Sequence, residues 1–421
     1  MNFLKQVAGA DLRRYTMVGA LIVILLIFQF TTGGRMVSSQ NIQNLLISNT
    51  YVLVLALGML MVIVVGHIDL SVGSVAAVCG MCAAMTWNKY GWPWWLSIIL
   101  GLLIGAVIGC WQGFFLSKLG IPGFITTLAG WMMFRGVVVM ISHSVTQSAP
   151  PQLRKVGSGY LPDWRIGASG DSNGFNVPTV IIGVLVILLI AWSQLRAHHK
   201  RVEVLGEMST TPCLVRIAVL AVVVGGFTYL MAAGNPGTSL PIPTIIVGLL
   251  VVFYSTLTQR TAYGRHVYAI GGNRAAAALS GISVPKTYFL TMMNMSILAA
   301  VAGLLFVGRA TAAGPNDGNM WELDAIASVF IGGAAVTGGI GTVGGTMVGA
   351  LVMASINSGM MLLGWRTDQT QIVKGLVLLA AVALDVFNKR QGRASIIGQL
   401  TKSKTTNPPP SQPAAVARPT K

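Results

Sequence analysis

Long apolar segments separated by short polar ones dominate the chain. The first apolar run extends from Met17 to Phe30, and eleven more follow it. Those eleven cover residues 45–66, 70–87, 93–117, 121–142, 177–195, 214–233, 242–258, 286–308, 323–337, 343–363 and 371–388. Most of them approach the roughly 20 residues that a helix needs to cross a bilayer. The pattern predicts an all-α polytopic membrane protein with about 12 transmembrane or re-entrant helices.

Two parts of this pattern leave alternatives open. Glycines at 338, 339 and 341 split the runs 323–337 and 343–363, so one of these two runs is a candidate re-entrant segment. The basic N-terminus followed by an apolar run is typical of a signal peptide. The run is long, however, and no small-x-small cleavage site follows it. We therefore expect an uncleaved first span.

The composition is typical of a membrane protein, and it also bears on how the high net positive charge is interpreted. Only 9% of residues are charged and 54% are hydrophobic, whereas soluble domains carry about a quarter charged residues. The net charge of +17 first suggests nucleic acid as a partner. The cations lie in short loops and tails beside apolar runs, a distribution that the positive-inside bias of membrane proteins explains better. No nucleic-acid partner is expected.

The distribution of lysine and arginine also predicts the orientation. With the N-terminus inside the cell, most of the 28 cations fall on the cytoplasmic side, so both termini are expected there. The chain then divides into a cytoplasmic N-terminus (1–14), a transmembrane domain (15–390) and a disordered cytoplasmic tail (391–421). The loop 143–176 lies outside, and the basic segment 196–212 lies inside.

All four cysteines fall in or next to apolar segments. Cys79 and Cys82 form a CxxC pair, but no histidine or second pair lies nearby in sequence. We interpret the cysteines as small packing residues, so no metal site and no cofactor is expected.

One long polar and basic stretch, GRHVYAIGGNRAAAALSGISVPK (264–286), interrupts the apolar second half of the chain. Asn273 can cap a short helix over residues 274–279, in which four alanines favour helix formation. Gly281 supplies a left-handed exit from that helix. The result is a two-turn helix with a methyl-rich surface, carried on a basic loop. Such a helix either fits the groove of another protein or only joins two spans.

The string YAIGGNRAAAALSGISV within this stretch resembles the cytoplasmic coupling segment of permease subunits of bacterial ABC monosaccharide importers. Its relatives are the ribose-, xylose- and multiple-monosaccharide-type permeases. The resemblance implies that this segment transmits ATP-driven motion from a separate ATPase subunit. The residues implied in this coupling are Gly271, Gly272, Asn273, Arg274, Ala275, Ala276, Ala277, Ala278, Leu279, Ser280 and Gly281. Arg274 departs from the family, in which an acidic or neutral residue is usual.

A second motif, GHIDLSVG (66–73), separates two apolar runs. It is either a turn in which Asp69 or Ser71 caps the following helix, or a broken element beside a translocation path. The string is similar to the GxIDLSVG signature of the same permeases, with His67 at the variable position. The branched-chain amino acid relatives carry a different, non-acidic string there, so the motif indicates the sugar branch.

A third motif, PGFITTLAG (122–130), resembles the family's Pro-x-Phe-Ile-x-Thr-Leu-Ala-Gly segment. The hydroxyls of Thr126 and Thr127 either donate to the carbonyl four residues earlier or face a polar pore. With Asp69 and Ser71, these threonines are the candidate residues of the translocation path.

The resemblance extends over about residues 45–390, and the segments 322–327 and 331–349 also match. It is interrupted near 177–235, where the chain has about two spans more than the ribose-type permeases. The xylose and multiple-monosaccharide types share these spans, so the chain is most similar to that branch.

Glycines recur at four-residue spacing in two apolar runs, at 101, 105, 109 and 113 and at 341, 345 and 349. Such faces let helix backbones approach closely in lipid, so we expect packing rather than a ligand site.

The chain lacks a GxxxxGK[ST] loop for ATP phosphates, and no acidic pair lies in the middle of a predicted span. Arg135, Lys374 and Asp385 lie near predicted helix ends, where long side chains can reach the membrane surface. We therefore expect a transport subunit that is not itself an enzyme and borrows its energy. An ion-coupled secondary sugar carrier is the alternative. An intramembrane enzyme is a third, for which no nucleophile and base lie at useful spacing.

The family resemblance also implies partners and a location. It implies an ABC ATPase subunit on the cytoplasmic side, a periplasmic sugar-binding protein and a second permease copy in a homodimer. The implied substrate is a monosaccharide, xylose or a related pentose or hexose. The implied location is the bacterial inner membrane.

Overall fold

The computed structural model describes residues 12–169, 172–206 and 210–390. The segment 1–11 of the predicted cytoplasmic N-terminus and the predicted tail 391–421 lie outside these residues. The helices of the described part are α1 Leu12–Thr31, α2 Ser39–Ser48, α3 Thr50–Val64, α4 Val72–Tyr90, α5 Trp94–Ser117, α6 Gly123–Ser142, α7 Pro151–Ser158, α8 Val177–Leu205, α9 Thr211–Ala232, α10 Ile242–Arg260, α11 Ala262–Gly272, α12 Arg274–Leu279, α13 Val284–Ala310, α14 Trp321–Ile331, α15 Val343–Leu362 and α16 Thr367–Arg390. The strands are β1 Gln147–Ser148, β2 Arg165–Ser169, β3 Ser172–Asn176 and β4 Ala312–Ala313, paired as β1 with β4 and β2 with β3.

The protein is a mostly helical polytopic membrane protein. Each of the twelve apolar runs carries a helix or, for 45–66, the pair α2 and α3. Within the described residues, seven helices are long and apolar enough to cross a membrane, namely α5, α6, α8, α9, α10, α13 and α15. The pair α2 and α3, bent by 50° at Asn49, makes an eighth candidate. Twelve spans therefore stay a prediction.

Helix α14 is too short to span a bilayer. It has 11 residues, about 16 Å of helix, and it ends at Gly332. The loop 332–342 follows, in which Gly338 and Gly339 adopt positive φ angles of 82° and 74°. The glycines thus split this region into a short helix and a longer one, as the sequence predicts.

Helix α13 lies at the centre of the bundle, where it packs against α3, α4, α5 and α7. The first glycine stripe faces this helix. A Cβ atom on Gly105 would lie 2.7 Å from the Cβ of Ala300, and one on Gly109 would lie 2.6 Å from the Cα of Met293. The second stripe brings α15 against α14, where Gly349 contacts the carbonyl of Ser328. The prediction that these glycines serve packing is confirmed.

The segment between α6 and α8 contains a β-hairpin, formed by β2 and β3. Arg165 fixes this hairpin to the loop between α9 and α10. The guanidinium donates to the carbonyl oxygens of Gly234, Asn235 and Thr238 at 2.7–2.8 Å. Asp163 accepts from the backbone N–H of Gly237 at 2.7 Å and pairs with Arg165 at 2.6 Å. These contacts hold the pKa of Asp163 below its usual range, the Gly237 hydrogen bond above all.

Helices α8 and α9 pack on each other at the periphery of the bundle. Only 11% of the α8 span and none of the α9 span is buried within the protein. Their apolar surface is therefore suited to face lipid.

Candidate translocation path and coupling segment

The chain is irregular between α3 and α4, and this break (residues 65–71) holds a buried polar pair. The Oδ1 atom of Asp69 accepts from the backbone N–H of Ser71 at 2.8 Å and from its hydroxyl at 2.6 Å. Both residues are almost fully buried. Neither side chain caps α4, which corrects the capped-turn interpretation. The Ser71 hydroxyl is instead committed to Asp69.

Two neighbouring helices hold the break in place. Gln112 of α5 is fully buried and donates from Nε2 to the Ser71 hydroxyl at 2.6 Å. Thr127 of α6 accepts from the backbone N–H of Leu70 at 3.2 Å, and its hydroxyl lies 2.9 Å from the carbonyl of Gly123. Thr127 therefore contacts both its own helix, as one of the two expectations had it, and the break.

Thr126 is buried beside Thr127 but takes no part in this contact. Its hydroxyl donates at 3.3 Å to the carbonyl of Pro122, four residues earlier in its own helix. The structure thus brings together Asp69, Ser71 and Thr127 and leaves Thr126 outside.

The polar break lies inside the bundle rather than at its end. Gln112 falls between Gly109, which faces Met293, and Gly113, which faces Phe289. This stretch of α13 is about 10 Å from the first residue of that helix, which is itself about 40 Å long. The break therefore lies about two helical turns inside the first residue of the central helix.

The N-terminal end of the short helix α14 contacts the N-terminal end of α4 beside the break. The backbones of Gly73 and Gly318 are in contact, and a Cβ atom on Gly73 would lie 2.7 Å from Oε2 of Glu322. Glu322 and Asp324 stand in the first turn of α14 and are buried, 6% and 1% exposed. Carboxylates are favoured in the first turn of a helix because its free N–H groups carry partial positive charge.

Asp324 forms a buried ion pair with α16. The ammonium of Lys374 lies 2.9 Å from Oδ1 of Asp324, and Tyr51 donates to Oδ2 at 3.1 Å. The expectation that Lys374 reaches the membrane surface was wrong, because the side chain has a buried partner. Asp385 lies where side chains are not described.

Arg135 also points inward, which corrects the same expectation for that residue. Its Nη1 donates to the carbonyl of Asp317 at 2.7 Å and to that of Pro315 at 3.3 Å. These carbonyls belong to the loop before α14. Arg135 thus ties α6 to the start of the short helix.

The coupling segment has the predicted local structure. Asn273 caps α12 by accepting from the backbone N–H of Ala276 at 3.0 Å, and Gly281 follows with a φ of 82°. The expected loop over 264–272 is wrong, because these residues belong to helix α11. Thr261 caps that helix by accepting from the N–H of Gly264 at 3.1 Å.

The two faces of α12 differ in exposure. Ala277 is buried against its own protein, at 4% exposure, whereas Leu279 is 91% exposed. The exposed set also contains Gly272, Asn273, Arg274, Ala275, Ala276, Ala278, Ser280 and Gly281. The helix therefore presents one small, methyl-rich face to the outside of the chain.

The coupling segment packs on both irregular regions of the bundle. Gly271 contacts the carbonyl of Val64, the last residue of α3, and the same carbonyl accepts from the N–H of Gly339 at 2.8 Å. Tyr268 donates to the carbonyl of Gly341 at 2.8 Å. A movement of α11 and α12 would therefore displace the break after α3 and the loop after α14, because both contact the coupling segment.

A ring contact joins Arg274 to the polar break. Its guanidinium lies over the ring of Tyr288, 5.7 Å from the centroid. The ring of His67 meets the same Tyr288 edge to face, with centroids 4.5 Å apart. Arg274, which departs from the family pattern, and His67, at the variable position of the GxIDLSVG signature, thus share Tyr288 as a partner.

Sequence reasoning missed Gln112, Arg135 and Glu322 as members of this region. A signal existed for Gln112 and Arg135, since a long polar side chain inside an apolar run needs a partner. Glu322 stands at the edge of an apolar run, where burial has no sequence signal.

Comparison with known proteins shows the family of the chain. A family profile described as branched-chain amino acid transport system / permease component matches residues 41–382. The xylose transport system permease protein XylH of Escherichia coli (strain K12) is 38% identical over 384 residues, which are 90% of this chain and 93% of the relative. The XylH protein of Haemophilus influenzae is 36% identical over 91% of this chain and 98% of its own length. The ribose import permease protein RbsC of Escherichia coli (strain K12) is 30% identical over 88% and 92%. No solved structure matches the chain.

Proposed function

The chain belongs to the branched-chain amino acid transport system / permease component family, and on this premise we propose that it is the membrane-spanning permease subunit of an ATP-driven sugar importer. It is a multi-pass inner-membrane protein and a transport subunit rather than an enzyme. The observation that carries the proposal is the 38% identity to a xylose permease over 90% of the chain.

The substrate is a monosaccharide, xylose or a related pentose or hexose. The names of the relatives support this class, since two are xylose permeases and one is a ribose permease. The GHIDLSVG motif supports it independently, because the branched-chain amino acid relatives lack its acidic residue. The rival, an ion-coupled secondary carrier, has no support from these relatives.

The translocation path includes Asp69, Ser71, Thr126 and Thr127. Irregular backbone at membrane depth is tolerated only where it is buried in protein or lines a cavity. The break 65–71 meets this condition. The bond from the N–H of Ser71 to Asp69 and the bond from the N–H of Leu70 to Thr127 support the place of Ser71 and Thr127 in the path. The support for Thr126 is weaker, since its hydroxyl is bonded within its own helix.

Residues Gly271 to Gly281 receive the motion of a partner ATPase. The exposed methyl-rich face of α12 supports a contact with a groove in that subunit, and the packing of α11 on Val64 and Gly339 supports a route into the bundle. Arg274 adds a second route through Tyr288 and His67.

The assembly contains two copies of the permease, a cytoplasmic ATPase and a periplasmic sugar-binding protein. Closed two-fold symmetry is the usual arrangement of such subunits. Both termini and the coupling segment lie in the cytoplasm, and the hairpin of β2 and β3 lies outside. The excess of cations in the loops assigned to the cytoplasm supports this orientation.

The test is uptake of labelled D-xylose by bacterial cells that lack their own pentose importers. We expect uptake only when the permease is expressed together with its ATPase and its sugar-binding protein. Uptake by the permease alone would contradict the proposal, as would a complete set of subunits that imports no monosaccharide.

A further inference from the structure

Four polar atoms near the start of α4 and α14 are buried without a hydrogen-bond partner. They are Oδ2 of Asp69, Oε1 of Gln112, Nη2 of Arg135 and Oε2 of Glu322. Asp69, Gln112 and Glu322 are each more than nine-tenths buried. Leaving a buried polar group unpaired costs free energy, so several such atoms in one place point to a partner that comes and goes.

These atoms belong to one neighbourhood. Ser71 bonds to both Asp69 and Gln112 at 2.6 Å, which places the two side chains on either side of one hydroxyl. Glu322 lies against Gly73, two residues after Ser71. Arg135 holds the loop that leads to Glu322. The four side chains therefore lie around the region where the two helices begin.

Helix α6 lines one side of this region. Thr127, Trp131 and Arg135 follow one another at four-residue spacing and so share one face of the helix. Thr127 contacts the break, and Arg135 contacts the loop before α14. The indole N–H of Trp131, one turn from each, is also buried without a partner.

We propose that Asp69, Gln112 and Glu322 form a binding station for the hydroxyl groups of a neutral sugar, with Arg135 as an additional donor. This inference rests on the proposed function and names the residues that recognise its substrate. The station lies where two helices begin inside the bundle, an arrangement that transporters use for substrate sites.

The mixture of donors and acceptors favours a polyol over a cation. A hydroxyl group both donates and accepts, so a sugar can satisfy carboxylates, an amide and a guanidinium at once. A cation binds acceptors only, and the guanidinium of Arg135 would oppose it. Among the described residues, no group of three or more His, Cys, Asp or Glu side chains could hold a metal ion.

Two nearly isosteric substitutions test the station. Asp69→Asn keeps an oxygen for the two bonds to Ser71 and alters the free atom, and Glu322→Gln likewise replaces a free oxygen. Ser74→Ala is the matched control, because its buried hydroxyl already has a partner, the carbonyl of Ser71, at 2.8 Å. Gln112→Glu is a further variant that keeps size and shape but replaces the Nε2 donor to Ser71 with an oxygen.

Two measurements apply to every variant. The first is the melting temperature of the purified permease with D-xylose and with an equal concentration of sucrose. A ligand that binds the folded state raises this temperature by mass action. The second is the initial rate of labelled D-xylose uptake by the assembled complex in proteoliposomes.

We expect wild type and Ser74→Ala to melt higher in D-xylose than in sucrose. Asp69→Asn and Glu322→Gln should melt normally without sugar but lose this shift. Gln112→Glu should also lose the shift, and it should melt lower without sugar because its bond to Ser71 is lost. Uptake by all three station variants should fall by about tenfold or more, as expected when a hydrogen bond to a charged acceptor is lost.

Three results would overturn the station. One is a D-xylose shift and uptake rate equal to wild type in all three variants. The second is a shift that appears with sodium or potassium chloride instead of D-xylose. The third is loss of the fold without sugar in all three variants, which would make the residues purely structural. A wild-type complex that imports no monosaccharide would instead contradict the proposed function itself.

Discussion

Two adjacent glycines in the coupling segment have opposite surroundings. Gly271 contacts the carbonyl of Val64, and a Cβ atom there would also lie 2.6 Å from the backbone nitrogen of Gly339. A Cβ atom on Gly272 would meet nothing within 4 Å. The difference follows from the junction of three backbones at Gly271, so the two positions form a natural pair of variant and control.

We predict that Gly271→Ala reduces both stability and transport. The added methyl group would push α11 away from α3 at a cost of about 1–3 kcal/mol, typical of overpacking a tight contact. The measurements are the melting temperature of the purified permease and sugar uptake by the complex. Gly272→Ala should resemble wild type in melting temperature, because a Cβ atom there meets nothing within 4 Å. Equal behaviour of the two variants would show that the backbones do not meet as described.

Single residues also mark the limit of sequence reasoning. Residue chemistry suggested that Lys374 reaches the membrane surface, yet its ammonium pairs with Asp324, 50 residues earlier. Gln112 lies within the glycine stripe of α5, and its bond to Ser71 spans 41 residues. The burial of such groups is set by distant helices, so local pattern could flag Gln112 as unusual but could not supply its partner.

At the scale of elements, the sequence predicted α12 well and α11 poorly. The cap at Asn273, the helix over 274–279 and the exit at Gly281 are local features, and all three are confirmed. The polar and basic character of the preceding segment suggested a loop. Gly264 and Gly271 in fact lie within a helix, where each permits a close backbone contact, with Leu257 and Val64 respectively.

The exposure of α12 sharpens the test of its role. We predict that Ala276→Glu leaves the permease folded and inserted but abolishes co-purification of the ATPase and sugar-stimulated ATP hydrolysis. Residue 276 is exposed, so the charge would be buried only in the complex, where an unpaired charge costs several kcal/mol. Normal coupling in this variant would favour a segment that only joins two spans.

Ala277→Glu provides the contrast within the same turn. Because Ala277 is buried in its own chain, this substitution should lower the melting temperature of the isolated permease. Arg274→Ala should be milder than either, since it removes one exposed contact with the ring of Tyr288.

At the scale of the molecule, helix positions followed from the apolar runs, because a span must be both long and apolar. The contact between the short helix α14 and the start of α4 did not follow from these runs. The glycines at 338, 339 and 341 marked one of the runs 323–337 and 343–363 as a candidate re-entrant segment. The contact of Gly73 with Gly318 depends on tertiary packing. The candidate path was likewise predictable as motifs, and its assembly was not.

The orientation of the whole molecule can be tested by cysteine labelling. With the native cysteines replaced, we predict that Lys155→Cys is labelled from outside intact spheroplasts and that His199→Cys is not. Both positions are exposed, so access depends on the side of the membrane. Labelling of the residue 199 position from outside would reverse the topology that places the coupling segment in the cytoplasm.

In the proposed function, a separate ATPase supplies the energy for transport through this permease. The most direct measurement is D-xylose transport in proteoliposomes that contain the permease, its ATPase and its sugar-binding protein. We predict transport that requires ATP on the ATPase side, proceeds without an ion gradient and is unchanged by an uncoupler. Transport without the ATPase that follows an ion gradient and collapses with an uncoupler would contradict the account.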